Sequence, residues 1–187
     1  FDGSLCNSYI YYSENQKKFD KLFVSGDVSS IDIILSKILF HELYETSIEI
    51  SILKNETIGN NKHILISGDS NYENNRLLRG ISFSEEITEQ FELPFVNYVL
   101  ASSKEENLIE FHNNIAEIGE FLELEDFNKL NSYSNEIQSY IKENLSSLVY
   151  KFDSSDVEAV KQLINLCYYY KIIDDIFDLK FVWFFNT

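Results

Sequence analysis

Two neighbouring stretches of sequence decide the fold: Ser29-Ser-Ile-Asp-Ile-Ile-Leu-Ser-Lys-Ile-Leu-Phe-His-Glu-Leu-Tyr-Glu45 and, directly after it, Thr46-Ser-Ile-Glu-Ile-Ser-Ile-Leu-Lys54. In the first, apolar residues recur at the three- and four-residue steps that place side chains on one helical face: Ile31, Ile34, Leu35, Ile38 and Leu39. In the second, isoleucines alternate with Ser and Glu, which is the period of a strand with one face on a core and one in water. The sequence therefore predicts a helix followed at once by a half-buried strand.

Strand composition also surrounds this pair. Ser8–Ser13 is aromatic and β-branched, and we expect Leu22–Ser25 to return beside it as a hairpin. The capping-box spacing of Ser13 and Gln16 favours a short helix over Phe19–Phe23 as the alternative. Lys62–Ser67 is predicted to pair with the strand 46–54 through a long connection.

The middle of the chain is less distinctive. Leu77–Phe83 is either a third core strand or a short helix, and Phe95–Leu100, after Pro94, is predicted to be a strand. The sequence Ser-Gly-Asp ends two of the predicted strands, at residues 25–27 and 67–69, but the flanking similarity is too thin for a repeat.

Helical patterns dominate from Ser103 onward. Ser103 with Glu106, and Ser155 with Glu158, have capping-box spacing. Three apolar stripes are predicted to face a core: Leu108, Phe111, Ile115, Ile118 and Leu122; Ile137, Tyr140, Ile141, Leu145 and Leu148; and Val157, Val160, Leu163, Ile164 and Cys167. Lys180–Phe185 is aromatic and is predicted to return to the sheet as a strand.

These elements predict a single α+β domain over residues 1–187. Its first part, residues 1–100, is expected to be a mostly antiparallel sheet packed by one helix, and its second part, residues 101–187, to be acidic and helical with the closing strand. Pro and Gly are too sparse to indicate a linker.

Composition narrows the classes of function. Apolar residues make up 44% of the 187, which is enough to fill one sizeable core. No run approaches the roughly 18 uninterrupted apolar residues of a membrane-spanning helix. The net charge is −16, and so acidic a chain is repelled by phosphate backbones and by anionic lipid. We therefore expect a soluble protein that binds neither nucleic acid nor membrane directly.

The cellular compartment is indicated only weakly. Cys6 and Cys167 are too few for a disulfide scaffold and lack metal-ligand spacing, so we expect buried free thiols in a reducing compartment. The chain begins at Phe1 and contains no Met, so we expect the N-terminus to have been trimmed. Asn55 and Asn144 begin sequences that fit the glycosylation pattern. A cytoplasmic location is expected, with secretion as the alternative.

Motifs for common chemistries are missing from the sequence. It contains no Gly-rich phosphate loop, no Gly-x-Ser-x-Gly, no His-Glu-x-x-His and no Cys-x-x-Cys, so no cofactor, metal site or catalytic residue is predicted. Asp69, Asn71 and Glu73 alternate as at the start of a calcium loop, but Asn74 stands where that loop needs Gly. The three histidines, His41, His63 and His112, are scattered and more typical of structural or surface positions.

One asymmetry of charge is informative. Residues 1–83 contain 11 acids and 8 Lys or Arg, whereas residues 84–187 contain 20 acids and 7 Lys or Arg. Residues encoded by GC-rich codons are scarce, which indicates an AT-rich genome. Lys has AT-rich codons and should then be plentiful. The excess of acids over Lys and Arg therefore runs against the codon bias. Between Glu105 and Asp126 there are eight acids and no Lys or Arg. On a helix, Glu106, Glu110, Glu117 and Glu120 would lie nearly opposite the stripe that begins at Leu108.

Such a carboxylate face favours one kind of partner. We predict a non-enzymatic inhibitor or immunity-type protein that binds a basic partner protein, such as a nuclease or another nucleic-acid-binding protein, and mimics the charge of DNA. The predicted partner-binding residues are Glu106, Glu110, Glu117, Glu120 and Glu123, with Tyr and Phe anchors nearby. Three alternatives stay open: acids that serve only solubility, a small-substrate enzyme that uses carboxylates and a histidine, and a structural adaptor. The sequence does not specify an oligomeric state.

Overall fold

The computed structural model describes residues 5–13, 19–53, 61–115, 127–147 and 152–182. Within them, one mixed sheet is formed by β1 (Ser8–Tyr11), β2 (Lys21–Gly26), β3 (Glu49–Ile52), β4 (His63–Ser67) and β5 (Ile81–Ser82). The α-helices are α1 (Ser30–Tyr44), α2 (Phe83–Phe91), α3 (Glu105–Ile115), α4 (Asn135–Asn144) and α5 (Ser154–Tyr169), and 3-10 turns occupy Asp69–Arg79, Phe127–Ser132 and Leu145–Ser147. The predicted α+β class is confirmed.

The sheet is mixed, so the prediction of a mostly antiparallel sheet was wrong. The strand order is β3-β2-β4-β1-β5. Strand β2 runs parallel to both of its neighbours, β3 and β4, whereas β1 runs antiparallel to β4 and β5. Both predicted hairpins are therefore absent: β4 lies between β1 and β2, and β2 lies between β3 and β4.

Helix α1 explains why β2 and β3 are parallel. Parallel neighbours need a crossover that carries the chain back along the sheet, and a helix is its usual form. The 15 residues of α1 span about 22 Å, which is more than enough for the four- to six-residue strands that it joins. The alternation in β3 that suggested a hairpin instead belongs to an edge strand, where Ile48 is buried just before the strand and Ile52 at its end is 77% exposed.

Three other segments differ from expectation. Residues 77–83 contain neither one strand nor one helix, because they hold the end of a 3-10 turn, the two residues of β5 and the start of α2. Residues 94–100 contain no strand, and neither do residues 180–182. The rest of the predicted closing strand, residues 183–185, lies outside the described residues.

The core is centred on β1 and β4. Every residue of these two strands is buried, so both faces of the middle of the sheet are covered. Helix α1 contributes Leu35, Ile38 and Leu39 from its predicted stripe, and Phe40 in addition, whereas Ile31 and Ile34 of the stripe are half-buried. Helix α4 contributes Ile137 and Ile141. Helix α5 buries Val157 and Cys167, as predicted.

The starts of helices α1 and α5 are capped by polar side chains. The backbone N–H of Asp32 donates to Ser29 Oγ at 3.1 Å, and the backbone N–H of Ser29 donates back to the Asp32 carboxylate at 2.8 Å, which is a complete capping box. At α5 the box is formed by Asp153 and Asp156, not by the predicted Ser155 and Glu158. Hydrogen bonds from the hydroxyl and the backbone N–H of Ser155 hold the pKa of Asp153 below its usual range.

We expect Ser29→Ala to destabilise the protein by about 1 kcal/mol, because it removes the N-cap of the central helix. Ser30→Ala is the matched control, since Ser30 is an exposed residue in the first turn of the same helix. The measurement is the urea midpoint followed by circular dichroism. Equal midpoints for the two variants would show that the cap is not needed.

Candidate functional site

Helix α3 carries the acidic sequence that the charge pattern singled out. The turn before it is held by Ser102, whose Oγ accepts from the backbone N–H of Lys104 at 3.1 Å and from the side-chain amide of Asn107 at 3.3 Å. Glu105 and Glu106 then occupy the first helical turn, where carboxylates interact favourably with the positive end of the helix dipole.

The acidic face of α3 is a stripe of exposed side chains along one side of the helix. We define this face by five described residues: Glu106, Ile109, Glu110, Asn113 and Asn114. Glu106 and Glu110 are exposed and one helical turn apart, so their carboxylates are neighbours on the helix surface. Among the residues that the structure describes, no cation lies within 4 Å of either carboxylate.

The predicted burial of the apolar stripe on α3 was wrong for Phe111, which is 43% exposed. Leu108 is only half-buried, and the described hydrophobic core includes no residue of α3. Ile109, on the acidic face, is also 43% exposed. In the part of the chain that the structure describes, α3 therefore offers acidic and apolar side chains to solvent together. Glu117, Glu120 and Glu123, like Ile118 and Leu122, lie outside the described residues.

One carboxylate of α3 has a partner from the C-terminal part of the chain. Lys180 Nζ donates to Glu105 Oε2 at 2.8 Å, and this contact raises the pKa of Lys180. Both side chains are largely exposed, so the pair adds little stability. The ion pair is informative about position, because it places the residues around Lys180 next to the start of α3.

The three histidines have separate environments. His41 lies at the end of α1, where its Nδ1 is 3.0 Å from Tyr170 Oη. His63 is buried on β4, accepts from the backbone N–H of Ser13 and stacks on Phe19 with ring centroids 3.9 Å apart. His112 is half-buried on α3. No histidine is among the described residues of the acidic face.

A second polar cluster lies at the carboxyl ends of β2 and β4, where the two Ser-Gly-Asp sequences meet. The chain leaves these parallel neighbours in opposite directions, and ligands often bind at such a point in open sheets. Here, however, the polar groups bond to one another: Ser8 Oγ donates to Asp32 Oδ1 at 3.1 Å and contacts Ser67 Oγ. All three side chains are buried. The cluster therefore holds the strand ends together.

Other groups add no site within the described ranges. No set of three His, Cys, Asp or Glu residues there could hold a metal ion. No helix there has the length and apolar character needed to cross a membrane. Cys6 and Cys167 are both buried free thiols, as predicted. An apolar space of about 40 Å³ between α1, α2 and α5 is lined by residues that include Leu35, Phe91 and Leu163, and it is too small for a ligand.

Comparisons of the chain with protein-family models, with curated proteins and with solved structures found no match. The function is therefore argued from the geometry of the chain itself.

Proposed function

We propose that this protein is a non-enzymatic acidic binding protein that docks the acidic face of α3 against a basic surface of another protein. The observation that carries the proposal is the pair of exposed carboxylates, Glu106 and Glu110, which lie one helical turn apart without a described cation within 4 Å. A nuclease or another nucleic-acid-binding protein has the matching surface, so an inhibitor or immunity-type role is the form of the proposal.

The arrangement of the face fits a basic side chain of a partner. Carboxylates one turn apart, with the amides of Asn113 and Asn114 beside them, offer several acceptors to one guanidinium or ammonium group. Ile109 supplies an apolar wall for the methylene groups of a Lys or Arg side chain. Such a face combines charge with shape, which gives specificity as well as attraction.

The electrostatics of the free protein agree with this proposal. Two glutamates at this spacing repel each other at a cost of roughly 0.2–0.5 kcal/mol, and a net charge of −16 adds to the field that they experience. A bound cation reduces both the repulsion between the two glutamates and the effect of the net negative charge on them. Complementary fields also steer the partner to the face, so association is expected to be fast at low ionic strength.

We expect the variant Glu106→Lys with Glu110→Lys to bind a basic probe about tenfold more weakly than the wild type. The probe is a fluorescein-labelled arginine peptide of about 12 residues, followed by fluorescence anisotropy at about 50 mM salt, where exposed charges still interact over roughly 14 Å. Displacement of a short DNA duplex from the same peptide tests whether the protein competes with DNA.

The matched control is Glu143→Lys with Glu158→Lys, on α4 and α5. Both residues are exposed and helical, and either double variant changes the net charge from −16 to −12. A loss of affinity confined to the α3 variant supports the proposal. Equal losses in the two variants would overturn it, because net charge alone would then account for the binding. No loss in either variant would also overturn it, because the peptide would then bind without the acidic face.

A further inference from the structure

An exposed apolar segment follows the end of α5. Ile172, Ile176 and Phe177 are 39%, 54% and 56% exposed, and we call them the C-terminal apolar segment. Aspartates at 174, 175 and 178 lie among them and are exposed as well. Large apolar side chains gathered on a surface and interleaved with charges are typical of protein interaction sites.

Contacts at both ends hold this segment in place. At its start, Tyr170 Oη contacts His41 Nδ1 at 3.0 Å and donates to the Glu42 carboxylate, which ties the end of α5 to the end of α1. At its end, Lys180 pairs with Glu105, and the ring of Phe181 stacks on Phe152 with centroids 5.8 Å apart. The exposed apolar side chains are thus presented by a tethered part of the chain.

The segment is connected to the start of α3 through Lys180. Phe177 is three residues from Lys180, whose Nζ is 2.8 Å from Glu105, the neighbour of Glu106. Extended chain and side-chain lengths limit the distance between the Cα atoms of Phe177 and Glu105 to roughly 25 Å. A standard interface covers about 800 Å² per partner, which is a patch on the order of 30 Å across. The separation of the two regions is therefore within the reach of one interface.

Charge determines what kind of partner fits. A second copy of this chain would bring another −16 to the interface, and like charges in contact disfavour that association. A basic segment with apolar side chains on the same side matches both the aspartates and the isoleucine and phenylalanine side chains. An amphipathic helix rich in Lys or Arg has that pattern.

We infer that Ile176 and Phe177 are the apolar anchors of the interface whose charged part is the acidic face of α3, and that the partner presents a basic amphipathic helix to them. This inference rests on the proposed function. Aromatic and aliphatic anchors of this kind contribute most of the affinity of an interface, while the surrounding charges direct the encounter.

The test compares two labelled peptides of roughly 18 residues with the same number of lysines. In one, Leu recurs at three- and four-residue steps; in the other, Gln replaces every Leu. We expect Ile176→Ser with Phe177→Ser to weaken binding of the Leu-containing peptide about tenfold and to leave binding of the Gln-containing peptide within about twofold. Ile52→Ser with Leu78→Ser is the matched control, because these side chains are 77% and 44% exposed elsewhere on the protein.

The outcomes separate the two proposals. If Ile176→Ser with Phe177→Ser binds both peptides like the wild type, or is no weaker than the control variant, the inference fails. The proposed function is unaffected by that result, because Glu106→Lys with Glu110→Lys tests it through the arginine peptide. Circular dichroism spectra that match the wild type establish that both variants are folded.

Discussion

Gly26→Ala is expected to destabilise the protein by about 3–5 kcal/mol, a large part of the 5–15 kcal/mol that usually separates folded from unfolded chains. Gly26 ends β2 with a φ of +79°, and a Cβ added there would lie 2.0 Å from the backbone oxygen of Ser67 on β4. That oxygen also accepts from the backbone N–H of Asp27 at 2.9 Å. Because a Cβ is fixed directly to the backbone and the atom it meets is a backbone oxygen, the clash is relieved only by separating the ends of the two parallel strands.

Gly68→Ala is the informative comparison, because Gly68 holds the same position in the second Ser-Gly-Asp sequence. Its φ of +93° also disfavours a side chain, but the atoms nearest to a Cβ there all belong to the side chain of Asp27, with Oδ2 at 2.9 Å. Asp27 is exposed and its side chain is free to turn away, so a loss of about 1–3 kcal/mol is expected from backbone strain. Urea denaturation of the three proteins provides the measurement. A Gly68→Ala variant less stable than Gly26→Ala would contradict this explanation.

Local patterns predicted the central elements well. The stripe from Ile31 to Leu39 and the adjoining alternation predicted α1 and β3, and composition alone predicted β1, β2 and β4. Strand order could not be obtained in this way. It depends on which strands meet across the sheet, and a short apolar strand such as β2 has the same sequence pattern whether it forms a hairpin or receives neighbours on both sides.

The sequence predicted only part of the candidate site, because a local pattern does not show what packs against it. The spacing of Glu106 and Glu110 predicted an exposed acidic pair, since carboxylates on one helical face remain in water. Phe111 was expected in the core because an apolar stripe indicates what a helix is able to bury, not what lies opposite it. The exposure of Ile176 and Phe177 had no sequence signal, because an apolar run after a helix is equally typical of a buried connection.

The junction of β1, β4 and the following 3-10 turn depends on one buried amide, that of Asn71. Its side chain is completely buried. Oδ1 accepts from Tyr11 Oη at 2.8 Å, and Nδ2 lies 2.9–3.2 Å from the backbone oxygens of Ile66, Gly68 and Asn7. Burial raises the pKa of Tyr11, so its hydroxyl remains a donor at neutral pH. The Asn71 amide thus links the 3-10 turn to both ends of β1 and to the end of β4.

We expect Asn71→Ala to cost about 3 kcal/mol or more at any pH between 5 and 8, because it leaves the buried Tyr11 hydroxyl without its acceptor and removes the side-chain donor from the backbone oxygens of Ile66 and Asn7. Asn71→Asp keeps the shape and the acceptor for Tyr11 but turns a carboxylate oxygen toward three carbonyl oxygens. Burial and those carbonyls raise the pKa of the introduced carboxyl group in the folded state above its unfolded value of about 3.9. The stability of the Asn71→Asp variant relative to the wild type is therefore highest at low pH and is lost as the pH rises through the folded-state pKa.

Urea denaturation at several pH values from about 5 to 8 provides the measurement. The loss of stability relative to the wild type should grow with pH for Asn71→Asp and stay constant for Asn71→Ala. A deficit for Asn71→Asp that is independent of pH would mean that its side chain reaches water, and that the buried amide is not what joins these segments.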